Sequence, residues 1–396
     1  MTDGGRENAA VFRKIMLVAV EPSGDEIGAA LLRELNKRAP GLVAIGCGGS
    51  MMAAEGFKSA FPIDKLSVMG LTDALAALPD AAKRARSLAD LAASECVAAA
   101  IFIDGWGFSR LAAAEMKRRA PRTKLFKLGA PQVWASRPKR VETVRRIFDG
   151  VLCLLPFEPA IFEKAGVRAA FVGNPNFQKA WRGRGDGARF RKWYDLDAAP
   201  VLLVLPGSRK TELKRHLAPF GGAVRLLAER VAGLRVVVVI PPYLKEDAQR
   251  TIYAWPGEPI IAHPDEKADA FAAADAALAK SGTVTTELAI NGTAMAVAYK
   301  TDPISAIWAR RIMTTPFVTI LNVAAQEEVV PEFLQERCRP ELLAGALLPL
   351  LVDKESRLEQ LEAFPRLLAY LGVDAEDAAG LAADKICEWM GGSEAV

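Results

Sequence analysis

The chain has 396 residues, 51% hydrophobic and 25% charged, a length that suits two domains, each with its own core. A net charge of +4 makes no case for nucleic acid, and two histidines disfavour a His-based metal site. Five scattered cysteines with no CxxC pair argue against a disulfide framework or a zinc site and fit a reducing compartment.

The opening MTDGGRENAAVFRK has no apolar h-region, so no secretory signal is expected, and residues 1–13 read as a polar leader. No apolar run approaches the ~20 residues that span a bilayer, so any membrane contact is expected to be peripheral. Ile15–Val20 reads as a buried strand, Glu21-Pro22-Ser23-Gly24-Asp25 as a turn, and Ile27 to Arg38 as a helix. Leu42–Ile45 is a second strand. Gly46-Cys47-Gly48-Gly49 follows it, either admitting a ligand close to the backbone or forming a flexible loop. From Val68 a helical pattern runs to about Ala93, with Leu71, Leu75 and Leu78 on one face and Lys83, Arg84 and Arg86 beyond. That face fits either a helix covering a sheet or one lying on an anionic membrane surface.

Val97–Ile103 is a strand that ends in Asp104. A carboxylate just past the C-terminal edge of a parallel strand stands where open α/β sheets place their sites, although it can equally cap the helix that follows. Between Arg110 and Asp149, twelve Lys and Arg face three Asp and Glu, which points to an anionic partner. Aromatics are sparse there (Phe126, Trp134), so a nucleic-acid stacking platform fits poorly. Val151–Leu155 and Ala169–Val172 are further strands, and Arg182–Gly187 is polar and Gly-rich, a candidate linker.

The second half repeats the alternation, with strands at Val201–Leu205, Arg235–Ile240, near Ile260, Ala276–Ala279 and Ala294–Ala298, and helices from Leu342 onward. Strand–helix alternation predicts parallel, doubly wound sheets in two domains facing a cleft. The expected division is 14–178 (acceptor side), 188–353 (donor side) and 354–396 as C-terminal helices. Pro206-Gly207-Ser208-Arg209 lies between a strand and a helix start. There, free N–H groups, the helix dipole and a guanidinium suit a diphosphate; the alternative is an ordinary strand–helix turn. Lys280-Ser281-Gly282-Thr283 opens another helix, which Ser281 or Thr283 can cap, and Glu287 a turn further in can accept two ribose hydroxyls. The two units together suit a nucleotide diphosphate-sugar.

Several motifs taken together carry a family likeness: SGDEIGA (Ser23–Ala29), LSVMGLTDAL (Leu66–Leu75), VWASRPKRV (Val133–Val141), LLPFEP (Leu154–Pro159), LPGSRKTE (Leu205–Glu212), SGTVTTE (Ser281–Glu287) and VVPEFLQE (Val329–Glu336). From Ile15 to about Leu351 the chain resembles the lipid-A-disaccharide synthases, inverting glycosyltransferases with two Rossmann-like domains (GT-B type). The resemblance implies transfer from UDP-2,3-diacylglucosamine to 2,3-diacylglucosamine 1-phosphate, giving a β-1,6 disaccharide and UDP, without metal or cofactor. It implies a UDP-sugar site at Gly207, Ser208, Arg209, Ser281, Gly282, Thr283, Glu287, Asn322 and Gln335. It makes Asp104 the general base and puts Ser23, Gly24, Asp25, Gly48, Gly49 and Met69 on the acceptor side. It further implies a peripheral protein on the cytoplasmic face of a Gram-negative inner membrane, bound through Val68, Met69, Leu71, Leu75 and basic residues, and it allows a homodimer. The pattern departs at Gly107, where a second Asp is usual, and at Ser50, Ser136 and Asn174, mainly on the acceptor side. The alternatives are a paralogue with another acceptor and a non-catalytic UDP- or lipid-binding protein.

Overall fold

The computed structural model describes residues 14–63, 71–375 and 377–391; for 71–77 and 304 it describes the backbone alone. The chain forms two compact units. One runs to Pro175 and takes back the C-terminal segment from Ala375; the other is Asn176–Asp374.

In the first unit, β1 (Lys14–Ala19), β2 (Val43–Cys47), β3 (Ala99–Ile103), β4 (Lys124–Leu128), β5 (Gly150–Cys153) and β6 (Ala169–Phe171) form one sheet in the order β2-β1-β3-β4-β5-β6. Every pairing is parallel. Alternate residues of β1 enter opposite cores. Ile15 and Leu17 pack with Leu31, Leu35 and Ile101, and Met16 and Val18 with Ala100, Phe102 and Met116. A sheet covered on both faces needs such unbroken apolar strands.

The last helix, Ala378–Gly391, belongs to this unit. Its Ala383, Ile386 and Trp389 join the core beside Leu31 and Phe126, and Arg38 pairs with Asp384 at 2.5 Å. The C-terminal helices are thus divided: Pro340–Val352 and Lys354–Tyr370 lie in the second unit.

In the second unit, β7 (Val201–Leu205), β8 (Arg235–Val238), β9 (Ile260–Ile261), β10 (Ala276–Lys280), β11 (Ala294–Tyr299) and β12 (Glu332–Leu334) order as β12-β11-β10-β7-β8-β9, again all parallel. Both sheets are doubly wound. Each reverses direction beside its first strand, between β1 and β3 in one and between β7 and β10 in the other. Open α/β sheets bind ligands at that switch point, outside the carboxyl ends of the strands.

The stretch expected as a linker is packed down on the second unit. Gly185 N–H donates to Asn291 Oδ1 at 2.9 Å and Asp186 N–H to Asp269 Oδ1 at 2.7 Å, and the Asp186 carboxylate caps helix Gly187–Trp193. Among the described residues, no helix is long and apolar enough to cross a membrane. Val68 and Met69, expected at a membrane face, lie outside the described residues; Leu71 and Leu75 are described only as backbone of helix Leu71–Ser94.

Candidate active site

The loops leaving β7 and β10 stand side by side because those strands pair, and they wall a cavity of about 340 Å³. Gly207, Ser208, Lys280, Ser281, Gly282, Thr283 and Glu287 all line it, so the structure brings the two predicted stretches together. Gly207 has φ +126°, and a Cβ there would stand 2.7 Å from Glu212 Cβ, so this turn admits only glycine. Helix Lys210–Ala228 then starts with Arg209 at its N-cap.

The charges beneath the loop differ from expectation. Ser208 N–H is not free, since it donates to Glu212 Oε2 at 3.1 Å. The other Glu212 oxygen takes Lys280 Nζ at 3.1 Å and Arg209 Nη1 at 3.3 Å. Burial works to raise the Glu212 pKa; Lys280, the Ser208 amide and Arg209 outweigh it and hold the carboxyl below its usual range. Two cations thus converge beside the cavity around one buried carboxylate. Arg209 is half-exposed, so most of its fork faces solvent.

His216, one turn beyond Glu212, is fully buried. Its Nε2 accepts Lys300 N–H at 3.0 Å, so the proton sits on Nδ1, which donates to the Glu212 carbonyl at 2.8 Å. Burial pushes its pKa down to about 4 and keeps it neutral.

On the β10 side, neither Ser281 nor Thr283 caps helix Val284–Ile290 with its side chain. Ser281 Oγ reaches the Val318 carbonyl at 3.4 Å, and the helix tightens through Thr285 Oγ1 donating to the Gly282 carbonyl at 2.9 Å. Glu287 Oε2 pairs with Lys267 Nζ at 2.5 Å, which leaves Oε1 for a ligand hydroxyl. Gln335 lines a second cavity that shares Lys280 and Ser281 with the first. Asn322 is not in either. It is fully buried, donating to the Val330 carbonyl and Glu332 and accepting from Val329 and Val330 N–H, so it holds the turn before β12.

Sequence reasoning placed Lys280 in the β10 stretch without a role of its own, and passed over Pro241-Pro242 and Lys267, which also line the cavity. Lys280 ends a strand at the carboxyl edge, the same signal that singled out Asp104. Pro241-Pro242 directly follows the β8 region and was readable as a strand-end loop. Lys267 gave no signal, because it arrives from an intervening helix.

In the first unit, the switch point between β1 and β3 holds Ser23 and Asp104. Ser23 Oγ donates to Asp104 Oδ2 at 2.8 Å. Asp104 has φ +51° and Gly105 +50°, two consecutive left-handed residues, and a strained non-glycine at a strand end is characteristic of functional sites. Helix Trp106–Arg119 has Gly105 at its N-cap with no side-chain cap, so the Asp104 carboxylate does not serve as its cap. The neighbouring Lys127 is buried, with Nζ donating to the carbonyls of Leu128 (2.9 Å) and Phe102 (3.3 Å). The same Leu128 carbonyl receives Asp104 N–H. Burial lowers the Lys127 pKa to about 8 against the pull of Asp104, Glu21 and Glu158.

The remaining acceptor-side residues interlock with one another. Asp25 is buried, and its carboxylate accepts the N–H groups of Gly49 (2.7 Å), Met51 (2.8 Å) and Met52 (3.2 Å), capping the short helix Ser50–Ala54. A Cβ at Gly49 would come within 2.5 Å of Asp25 Oδ2. Gly24 packs on the end of β3, and Gly48 stands against Met52. SGDEIGA and the Gly48-Gly49 loop are therefore coupled by one buried carboxylate. Met69 lies outside the described residues.

A sequence model of the lipid-A-disaccharide synthetase family matches residues 15–385. The chain belongs to the lipid-A-disaccharide synthase family. Among its curated relatives, the lipid-A-disaccharide synthase of Paramagnetospirillum magneticum is 39% identical, with 95% of this chain and 97% of that protein covered. The synthase of Nitrobacter hamburgensis is 39% identical, with 98% of each covered. Solved structures agree on the fold. The S. aureus MnaA–UDP co-structure matches with TM-score 0.62 at 14% identity over 94% of both chains. The UDP-GlcNAc 2-epimerase of Neisseria meningitidis bound to UDP-GlcNAc matches with TM-score 0.60 at 11% identity, over 95% of this chain and 99% of that one. The lipid-A-disaccharide synthase family thus contains a member with two Rossmann-like sheets of the GT-B type, and this member is a glycosyltransferase by that descent.

Proposed function

We propose that the chain joins UDP-2,3-diacylglucosamine to 2,3-diacylglucosamine 1-phosphate, forming the lipid A disaccharide and UDP. Membership of the synthase family across 15–385 carries this reading. The cavity between the β7 and β10 loops supports it on the donor side, with Gly207, Ser208, Lys280 and Ser281–Thr283 lining it and Arg209 next in the chain after Ser208, paired to Glu212. In this reading UDP lies there, its diphosphate facing Arg209 and Lys280 and its ribose facing Glu287. Asp104 takes the proton from the acceptor 6-hydroxyl as that oxygen attacks donor C1 from the face opposite the phosphate. The C1–O bond breaks with inversion, and the charge gathering on UDP is balanced by the two cations. Binding to the membrane from the cytoplasmic side, through the 68–75 region, belongs to the same proposal.

The test is purified protein with both substrates. Disaccharide and UDP appear together if the reading holds; neither product would overturn it. One observation favours a second reading, a different acceptor. Gly107, Ser136 and Asn174 depart from the family pattern on the acceptor side, while the PGSR and SGT motifs are intact. UDP release with another acylated sugar, and none with the diacylglucosamine phosphate, would select it.

A further inference from the structure

The loops leaving β3 and β4 are neighbours at the carboxyl edge of the first sheet, because those strands pair. Trp106 opens the helix that follows Asp104 and Gly105, and the Arg140 guanidinium lies over its ring, 5.7 Å from the centroid. Arg110 stands one turn further along the same side of that helix. Arg140 N–H donates to the Arg137 carbonyl at 3.0 Å, and Arg137 itself is held at φ +53°. Arg110 is exposed and Arg140 half-buried. Among the described residues, no carboxylate forms an ion pair with either of them. Burial, and then the charges of Arg137 and Arg110, hold the Arg140 pKa below its usual value. Gly107, in the same helical turn, has no atom within 4 Å of where its Cβ would be, so the space beside Arg110 is open.

We propose that Arg110 and Arg140, with Arg137 adding charge, bind the phosphate of the acceptor. The inference rests on the acceptor reading with Asp104 as base, and adds to it the place of the acceptor's other end. Like charges that converge without a carboxylate between them repel, and an anion seated among them relieves the repulsion. A phosphate monoester brings nearly two negative charges and three acceptor oxygens. Stacking on Trp106 occupies one face of the Arg140 guanidinium and leaves its in-plane N–H groups to donate, the geometry that phosphate oxygens accept. The position fits one substrate in particular. The acceptor offers its 6-hydroxyl at one end of the sugar and its phosphate across the ring on C1. Asp104 leads directly into the helix whose first turns carry Trp106 and Arg110. A sugar held at both ends is oriented for attack.

The experiment uses the full-length protein in detergent micelles, with 2,3-diacylglucosamine 1-phosphate and with 2,3-diacylglucosamine, the same acceptor without its phosphate. The wild type is expected to favour the phosphorylated acceptor by about tenfold or more in kcat/KM, the worth of one charge-assisted hydrogen bond. Arg110→Gln and Arg140→Gln are each expected to raise KM for the phosphorylated acceptor and to shrink that preference toward one, most clearly at low salt. Arg140→Lys keeps the charge and is expected to retain part of the preference. The two sites lie on separate elements, so the inference stays testable if one variant does not fold. A preference kept in the folded variants overturns the inference. A rate that falls by the same factor with both acceptors overturns it too, since a structural role alone would do that. Sedimentation with phosphatidylglycerol vesicles covers the other source of phosphate. Variants that leave the vesicles yet keep the acceptor preference would give the cluster to the lipid surface and overturn the inference. A wild type that forms no disaccharide with either acceptor overturns the transferase reading itself, and the phosphate subsite with it.

Discussion

Ser23 Oγ donates to Asp104 Oδ2 at 2.8 Å, tying the first turn of helix Pro22–Arg38 to the loop after β3 at the point where the first sheet reverses direction. The bond fixes the direction in which the carboxylate points. Ser23→Ala removes it and is expected to reduce kcat/KM severalfold, while Ser23→Thr, which keeps a hydroxyl, is expected to retain most of the rate. Asp104→Asn removes the base itself and is expected to cost 10²–10⁴-fold in transfer, while calorimetry finds UDP binding intact. An Asp104→Asn variant that transfers at the wild-type rate would separate Asp104 from the proton transfer.

Lys280 and Glu212 form the ion pair beside the donor cavity. Lys280→Met leaves Glu212 buried with Arg209 and an amide only, and breaking one partner of a buried pair costs roughly 3–5 kcal/mol. Glu212 keeps some compensation, so a loss toward the lower end is expected in urea melts. The same variant is expected to weaken UDP binding at least tenfold, most strongly at low salt. UDP affinity equal to wild type would show that the diphosphate lies elsewhere.

Gly107 stands in the first turn of helix Trp106–Arg119 with no atom within 4 Å of where its Cβ would be. Gly107→Asp therefore enters without collision, restores the family's second carboxylate, replaces a poor helix former and places negative charge near a helix N-terminus. Thermal melts are expected to show equal or higher stability, by about 0.5–1 kcal/mol. A drop in Tm would mean that the open space is not available. Transfer to the diacylglucosamine phosphate, measured beside the wild type, reports whether this departure governs acceptor choice.

His216 makes stability depend on pH. Its folded pKa, about 4, lies below its ordinary 6.5, so between those values the unfolded chain binds the proton that the folded chain refuses. The stabilisation is complete above 6.5 and is lost as pH falls toward 4, to a total on the order of 3 kcal/mol. Urea unfolding at pH 7 and pH 4.5 checks this against His216→Gln, which has no titrating ring and is expected to lose less across the same interval. An identical loss in both would assign the effect to other groups.

Asn322 acts through the turn before β12. Asn322→Leu orphans the N–H groups of Val329 and Val330 and a carbonyl, each costing about 1–3 kcal/mol when buried. A loss of at least about 3 kcal/mol is expected in denaturant melts. A folded variant with full stability and lost UDP binding would return Asn322 to the donor site.

How much of this was legible from the residues depends on what each strand buries. VLLVL matches β7 at both ends because a strand covered on both faces is an unbroken apolar run. KLFKL, the central strand β4, is missed for the opposite reason. Its lysines read as surface, yet Lys127 turns inward and spends its charge on two backbone carbonyls. Strand β12 is missed likewise, since buried Glu332 is satisfied by Thr319 and Asn322, partners that spacing does not reveal. The donor loops were readable because glycine, hydroxyl and basic residues follow directly on strands. That Glu212 occupies the Ser208 amide was not, because a glutamate in a first helical turn reads equally well as solvent-facing.

Helix Ala378–Gly391 seats Ile386 and Trp389 in the core that β1 begins. The first unit is therefore assembled from two stretches of chain with the whole of Asn176–Asp374 between them. Its core closes only after that intervening unit has been made, so the order of folding need not follow the order of the sequence, and loss of the 378–391 helix would bare the apolar surface around Leu31 and Phe126.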